Sequence, residues 1–234
     1  MLQSDTERSP LGTESGVMDV KLRLRTIGDT EAEARARLLV VLDGPEYVRR
    51  TRLLALLGRL VAEGAVRPHR VALVDAGDRM EDFSASARYA RELVVALEQL
   101  GRGRRVGVGS SLGALALFHA HRIAPRAFSG LFLQSGSFFR RRTDPQERGF
   151  RRFGRIERFV AAASGSLDGA RPVPTTITCG LDEENYGNNA ALAHALAAQG
   201  YPVDFHAARG AHDWPTWRRA LDLHLAALLR RAWR

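Results

Sequence analysis

Short apolar runs alternate with longer stretches in which leucines recur every three or four residues, from about residue 36 to the C-terminus. The first signal lies earlier: residues 17–26 set Val20, Leu22 and Leu24 against Lys21, Arg23 and Arg25, the period of a half-exposed strand, expected at a sheet edge. Residues 36–42 differ. The run Leu38-Leu39-Val40-Val41-Leu42 is apolar on both faces, as in a parallel strand covered by helices on each side, and it stops at Asp43-Gly44-Pro45. Residues 49–63 place Leu53, Leu56, Leu57 and Leu60 at helical spacing, with Gly64 as the C-cap. Strands at 70–75, from 104 to the Gly-Ser-Ser-Leu-Gly turn at 109–113, at 130–134, 175–179 and 203–206 follow, interleaved with helices at 84–100, from Ala114 onward, at 188–199 closed by Gly200, and at 216–230. Repeated βαβ units of this length predict an α/β fold: a mostly parallel central sheet with helices on both faces, and functional residues at the carboxyl ends of the strands.

Two stretches break the rhythm. Residues 1–16 are polar and are expected to form a disordered tail, which leaves 17–234 as a single domain, a size that suits 234 residues. Near 138–160 an Arg-rich insertion carries Arg140-Arg141-Arg142 and then Arg148, Arg151, Arg152, Arg155 and Arg158 around Phe150, Phe153 and Ile156.

Composition narrows the function classes. No apolar run reaches the roughly 18 residues of a membrane span, and the N-terminus lacks a basic start followed by an apolar core, so a cytoplasmic location is expected. The single cysteine, Cys179, rules out an internal disulfide and a Cys-built metal site; no metal or cofactor is expected. The net charge is +9, and every basic residue except Lys21 is arginine. A positive field of this kind concentrates anionic ligands. Neither zinc-finger spacing nor an RNP-like interleaving of aromatic and basic residues is present, so neither nucleic acid nor membrane is expected as a partner.

The candidate chemistry centres on Gly-Ser-Ser-Leu-Gly at 109–113, where a strand breaks into a helix. In G-x-S-x-G the middle serine, here Ser111, occupies a strained strand-to-helix turn, and the free N–H groups of the helix start favour a developing negative charge. A serine hydroxyl needs a base at neutral pH. His119 and His121 lie too far along the following helix. His194 and His224 sit inside helices, His69 precedes a strand and His206 lies within one. His212, in the loop Arg209-Gly210-Ala211-His212-Asp213-Trp214 after a strand, is the candidate base. A carboxylate should orient it, and Asp182, Glu183 and Glu184 follow the strand at 175–179; Asp182, the first, is taken as the acid. The order Ser111, Asp182, His212 is the chain order of α/β-hydrolases. An oxyanion hole would draw one N–H from Leu112 and one from Asp43-Gly44-Pro45-Glu46, where Pro45 has none; this leaves Gly44 or Glu46, and Gly44 is carried forward.

These residues resemble the enterochelin (enterobactin) esterases and the wider esterase group that also holds the mycolyltransferases. The resemblance rests on Leu-Asp-Gly-Pro-Glu-Tyr at 42–47, Gly-Ser-Ser-Leu-Gly at 109–113, Gln-Ser-Gly-Ser-Phe-Phe at 134–139, Gly-Ala-His-Asp-Trp-Pro-Thr-Trp at 210–217, and Asp182 with Asn189, Leu192 and Leu196. It implies a single-domain α/β-hydrolase fold with Ser111 as nucleophile, His212 as base and Asp182 as acid, although the acid position varies within the group. Ala114 stands where many relatives carry a second glycine, and the separate N-terminal β-domain of the longer enterochelin esterases has no counterpart in the sequence. The expected activity is hydrolysis of a small-molecule ester or lactone, siderophores included, through an acyl-enzyme on Ser111. The competing expectations are acyl transfer by the same nucleophile and a non-catalytic binding module on the same fold. Arg79, Arg140 and Trp214 are the candidate substrate contacts, the arginines because their forks suit oxyanions. A solvated helix face for the insertion, and core packing for Trp214 and Trp217, are the structural alternatives.

Overall fold

The all-apolar run at 38–42 occupies the middle of the sheet, as its two-faced hydrophobicity requires. In the computed structural model, which describes residues 20–28, 34–75 and 77–234, seven strands form one sheet. They are β1 (Lys21–Ile27), β2 (Arg37–Leu42), β3 (His69–Asp75), β4 (Arg104–Ser110), β5 (Gly130–Gln134), β6 (Thr175–Gly180) and β7 (Val203–Ala208). Their order is β1-β3-β2-β4-β5-β6-β7; β1 pairs antiparallel with β3 and the remaining pairs are parallel. Along β2 the side chains alternate between two cores: Leu38, Val40 and Leu42 face one, Leu39 and Val41 the other.

The helices complete these two layers. Helices α1 (Gly44–Thr51), α2 (Leu53–Ala62) and α8 (Trp214–Ala232) contribute Tyr47, Leu57 and Leu225 to one core. On the opposite face, α4 (Ala87–Gln99), α5 (Leu112–Ile123), α6 (Phe153–Gly165) and α7 (Tyr186–Ala198) contribute Leu93, Phe118, Ile156 and Leu192. The short α3 (Arg79–Asp82) is N-capped by Asp78, which accepts from the Met80 and Glu81 amides.

Several expectations need correction. The helix expected over 49–63 is two helices, because Arg52 adopts a left-handed conformation, φ 56°, between them. Gly64, with φ 67°, follows the second as expected. Gly44-Pro45-Glu46 forms the first turn of α1 with Asp43 at its N-cap, and Pro45 suits that turn, where a missing N–H costs nothing. The edge strand loses its alternation at Leu24, which is exposed, and Arg25, which is half-buried. The expected tail at 1–16 lies outside the described residues.

Strand order decides where a ligand can enter. From β2 the chain moves outward to β3, then crosses back so that β4 lies on the other side of β2. At such a switch point the loops leaving adjacent strands diverge and open a crevice at their carboxyl ends. Asp43 leaves β2 there, and Ser111 leaves β4.

Candidate active site

Ser111 has φ 54° and ψ −123°, a conformation that a side chain normally avoids. Tight packing imposes it. A Cβ on Gly109 would lie 2.6 Å from the Gly113 carbonyl carbon and oxygen, so only glycine lets β4 pass this close to the first turn of α5. Leu115 N–H makes the first helical bond, to the Ser111 carbonyl, leaving the Leu112, Gly113 and Ala114 amides outside the ladder at the positive end of the helix.

His212 lies in the loop after β7, and its partner is Glu183, not Asp182. Nδ1 of His212 is 2.7 Å from Glu183 Oε2, whereas Asp182 is exposed. The His212 side chain keeps 42% of its surface exposed and the Glu183 side chain 0%. Glu183 turns inward because the β6 end curls back: its Oε1 accepts from the Gly180 amide at 2.6 Å. Gly180 also lets the histidine loop approach, since a Cβ there would lie 2.0 Å from the Gly210 carbonyl oxygen. Asp213 then caps α8 by accepting from the Thr216 amide at 2.9 Å, which fixes the far side of the loop.

A buried relay holds the carboxylate from behind. Trp217 Nε1–H donates to Ser135 Oγ at 2.9 Å, and Ser135 Oγ–H donates to Glu183 Oε1 at 2.7 Å. Burial by itself pushes the Glu183 carboxyl up, but the hydrogen bonds from His212, Ser135 and the Gly180 amide outweigh it and hold the group below its ordinary value. An ionised, fully bonded carboxylate on Nδ1 leaves Nε2 of His212 free to accept a proton.

Beside Ser111 the 135–137 loop supplies a second hydroxyl: Ser137 Oγ is 3.2 Å from Ser111 Oγ. Asn189 fixes this loop, accepting from the Gly136 amide at 2.8 Å and donating to its carbonyl at 3.0 Å. Gln134 accepts from the Tyr47 hydroxyl at 2.9 Å and donates to the Trp217 carbonyl, tying α1 to α8 behind the site. Sequence reasoning had not assigned Ser135, Ser137 or Gln134 a role. Their signal was available: three polar residues, Gln134, Ser135 and Ser137, close a central strand that is otherwise apolar.

The other candidates are placed as follows. Gly44 opens α1 directly after Asp43, and its Cα is pressed against β3, where a Cβ would lie 2.6 Å from Leu73 Cα. Arg79 is already engaged by both oxygens of Asp43, each at 2.8 Å, and lies over the Phe83 ring. That carboxylate also borders the first turn of α5: a Cβ on Gly113 would lie 3.3 Å from Asp43 Oδ2. Trp214 packs edge-on against Tyr47 and Trp217, and Trp217 packs against His212. Arg140 is half-buried, with its amide held by Asp144. The insertion is a 3-10 turn followed by α6, with Phe153 and Ile156 turned into the core. Its Arg152 and Arg155 both clasp Glu81, binding the segment to α3. The Arg cluster is therefore in part a structural clamp. Among the described residues, no group of three His, Cys, Asp or Glu side chains is assembled to hold a metal ion, and no helix is long and apolar enough to cross a membrane.

No protein-family model and no curated protein sequence matches the chain. Solved structures do. An enterobactin esterase from Shigella flexneri superposes with a TM-score of 0.70 at 23% identity, over 89% of this chain and 55% of that one. The chain has an α/β-hydrolase fold. A ferulic acid esterase shares this hydrolase fold at TM-score 0.68 and 15% identity, over 92% of this chain and 99% of that chain. The Staphylococcus aureus fluorophosphonate-binding serine hydrolase FphF does so at 0.65 and 15%, over 89% and 91%. The chain thus spans about half the length of the enterobactin esterase and nearly all of the other two.

Proposed function

We propose that the protein is a serine ester hydrolase with Ser111 as nucleophile, His212 as general base and Glu183 as the acid that orients it. The observation that carries this reading is the 2.7 Å contact of His212 Nδ1 with a buried, hydrogen-bonded Glu183, at the same carboxyl-end pole of the sheet as the strained Ser111 turn. Ester hydrolysis is the activity named for the fold neighbours.

In this mechanism, His212 Nε2 takes the Ser111 proton as Oγ attacks the ester carbonyl carbon. The carbonyl oxygen becomes an oxyanion facing the Leu112 and Gly44 amides at the starts of α5 and α1. The imidazolium returns the proton to the departing alcohol, leaving an acyl-Ser111. Water, deprotonated by His212, then attacks this ester, and Ser111 leaves as the hydroxyl. Glu183 stays ionised throughout and stabilises the imidazolium. Because the enterobactin esterases are solved with enterobactin and with 2,3-dihydroxy-N-benzoyl-serine, a macrocyclic lactone heads the substrate list, with aryl esters next.

A fluorophosphonate probe should add its phosphonyl group to wild-type protein at Ser111, located by peptide mass, and leave Ser111→Ala unmodified. Equal labelling of the two proteins would refute the nucleophile. The relay predicts a rate effect as well. Ser135 has φ 47°, so Ser135→Gly keeps the backbone conformation while removing the hydroxymethyl group that donates to Glu183 and accepts from Trp217. With Glu183 held less firmly against His212 Nδ1, kcat/KM should fall by about 10-fold at neutral pH. An unchanged kcat/KM in a folded variant would show that Ser135 does not support the acid.

A further inference from the structure

The amino ends of the strands, at the pole opposite Ser111, carry a basic groove. Arg104 and Arg105 open β4, Arg126 lies in the connection to β5, Arg171 in the connection to β6, and Arg231 on the last turn of α8. These five arginines line a cleft of about 280 Å³. A wider lobe of about 580 Å³ shares Arg105, Arg126, Ala127 and Arg171 with it, and is otherwise lined by Val94, Ala124, Pro125 and Ala170 together with one acid, Glu98.

Part of this charge is structural. Arg104 donates to the Ala232 carbonyl at the end of α8, Arg105 to the Leu97 and Gly101 carbonyls, and Arg231 binds Asp204. Those bonds fix three guanidinium groups in place. Arg126 and Arg171 are exposed and have no side-chain hydrogen bond or ion pair among the described residues. With five arginines and one acid lining it, the groove carries a net positive field that a bound anion would offset.

We infer that this groove binds a soluble phosphorylated small molecule. Its phosphates would lie among Arg104, Arg126 and Arg171, and its less polar part against Val94, Pro125 and Ala170. Guanidinium forks bond phosphate oxygens in pairs, and the volume is that of a small-molecule site. The surface is concave, with its apolar residues in the wall, unlike a membrane-binding face that projects them. Single-stranded nucleic acid is recognised on exposed aromatic platforms, whereas Phe128, the aromatic residue lining this groove, is 2% exposed. Substrate hydrolysis at Ser111 is a separate matter: β4 alone puts roughly 20 Å between Arg104 and Ser110.

Calorimetric titration with ADP near physiological ionic strength tests this. Wild type should bind ADP and not adenosine. Arg126→Ala/Arg171→Ala should bind ADP at least about 10-fold more weakly, while Arg148→Ala/Arg151→Ala, which removes the same charge from the insertion, should match wild type. Fluorophosphonate labelling retained in both variants would show that they are folded. On wild type alone, amide chemical shifts should move on ADP addition at Gly103, Ser129 and Val173 and not at the Ser111 turn. Absence of ADP binding, equal weakening in the two double variants, or shifts confined to the Ser111 turn would overturn the inference. So would displacement of ADP by an oligonucleotide or by phosphatidylglycerol vesicles at lower phosphate concentration.

Discussion

Glu183→Gln should lower kcat/KM for an ester by about 10³- to 10⁴-fold, whereas Asp182→Asn should leave it within about twofold. The asymmetry follows from geometry, since the two side chains are adjacent in sequence and opposite in environment. Glu183 is buried and its Oε2 meets His212 Nδ1 at 2.7 Å; Asp182 is exposed. Glutamine fills the same space but carries no charge to stabilise the imidazolium, and its amide can present N–H to Nδ1, which favours the wrong tautomer for proton uptake at Nε2. If the change were merely structural, melting temperature would fall with activity. The expectation is instead a folded protein with a large loss in kcat, read from initial rates and a thermal scan on the same sample. A large loss in Asp182→Asn with little in Glu183→Gln would restore the acid expected from sequence.

The contrast between Asp182 and Glu183 shows what one sequence carries and what it does not. The period-two and helical patterns located the strands, and the two-faced apolar run at 38–42 marked the central strand, because burial on both sides leaves no polar position. Ser111 was legible because a strained turn restricts its neighbours to glycine, a constraint written in the sequence. Which of Asp182, Glu183 and Glu184 faces inward depends on how β6 ends, and the Gly180 amide bond to Glu183 that settles it has no sequence signal. The partners of the arginines at 140–158 were hidden for a similar reason. Arginines look alike until their partner is known, and Glu81, which holds Arg152 and Arg155, lies more than sixty residues away in sequence. The break at Arg52 was likewise hidden, since leucines continue at helical spacing across it.

Stability should fall steeply as pH drops from about 6.5 towards 4, driven by three buried histidines remote from the Glu183–His212 pair. His69, His119 and His121 each have a pKa lowered from the ordinary value to about 4, chiefly by burial. The Arg155 and Arg91 charges add to the effect at His119, while at His69 and His121 a backbone carbonyl partly opposes it. His119 packs edge-on against Phe159, and His121 Nε2 lies 3.1 Å from both the Tyr201 hydroxyl and the Arg171 carbonyl. In this window the unfolded chain takes up protons that the folded chain refuses, so the slope of unfolding free energy against pH is positive, at about 1.4 kcal/mol per pH unit for each histidine. By pH 4.5 the three together cost on the order of 8 kcal/mol, a large share of the ~5–15 kcal/mol that holds a typical domain. Glu81 and Glu183, whose pKa values are depressed, act in the same direction but only at lower pH, as they are protonated in the unfolded chain first. Melting temperature measured from pH 7.5 to 4.5 should therefore drop early, and His119→Leu, which suits the Phe159 contact, should flatten the curve by about a third. A melting temperature constant down to pH 4.5 would mean that these imidazoles accept protons inside the fold, which their burial forbids.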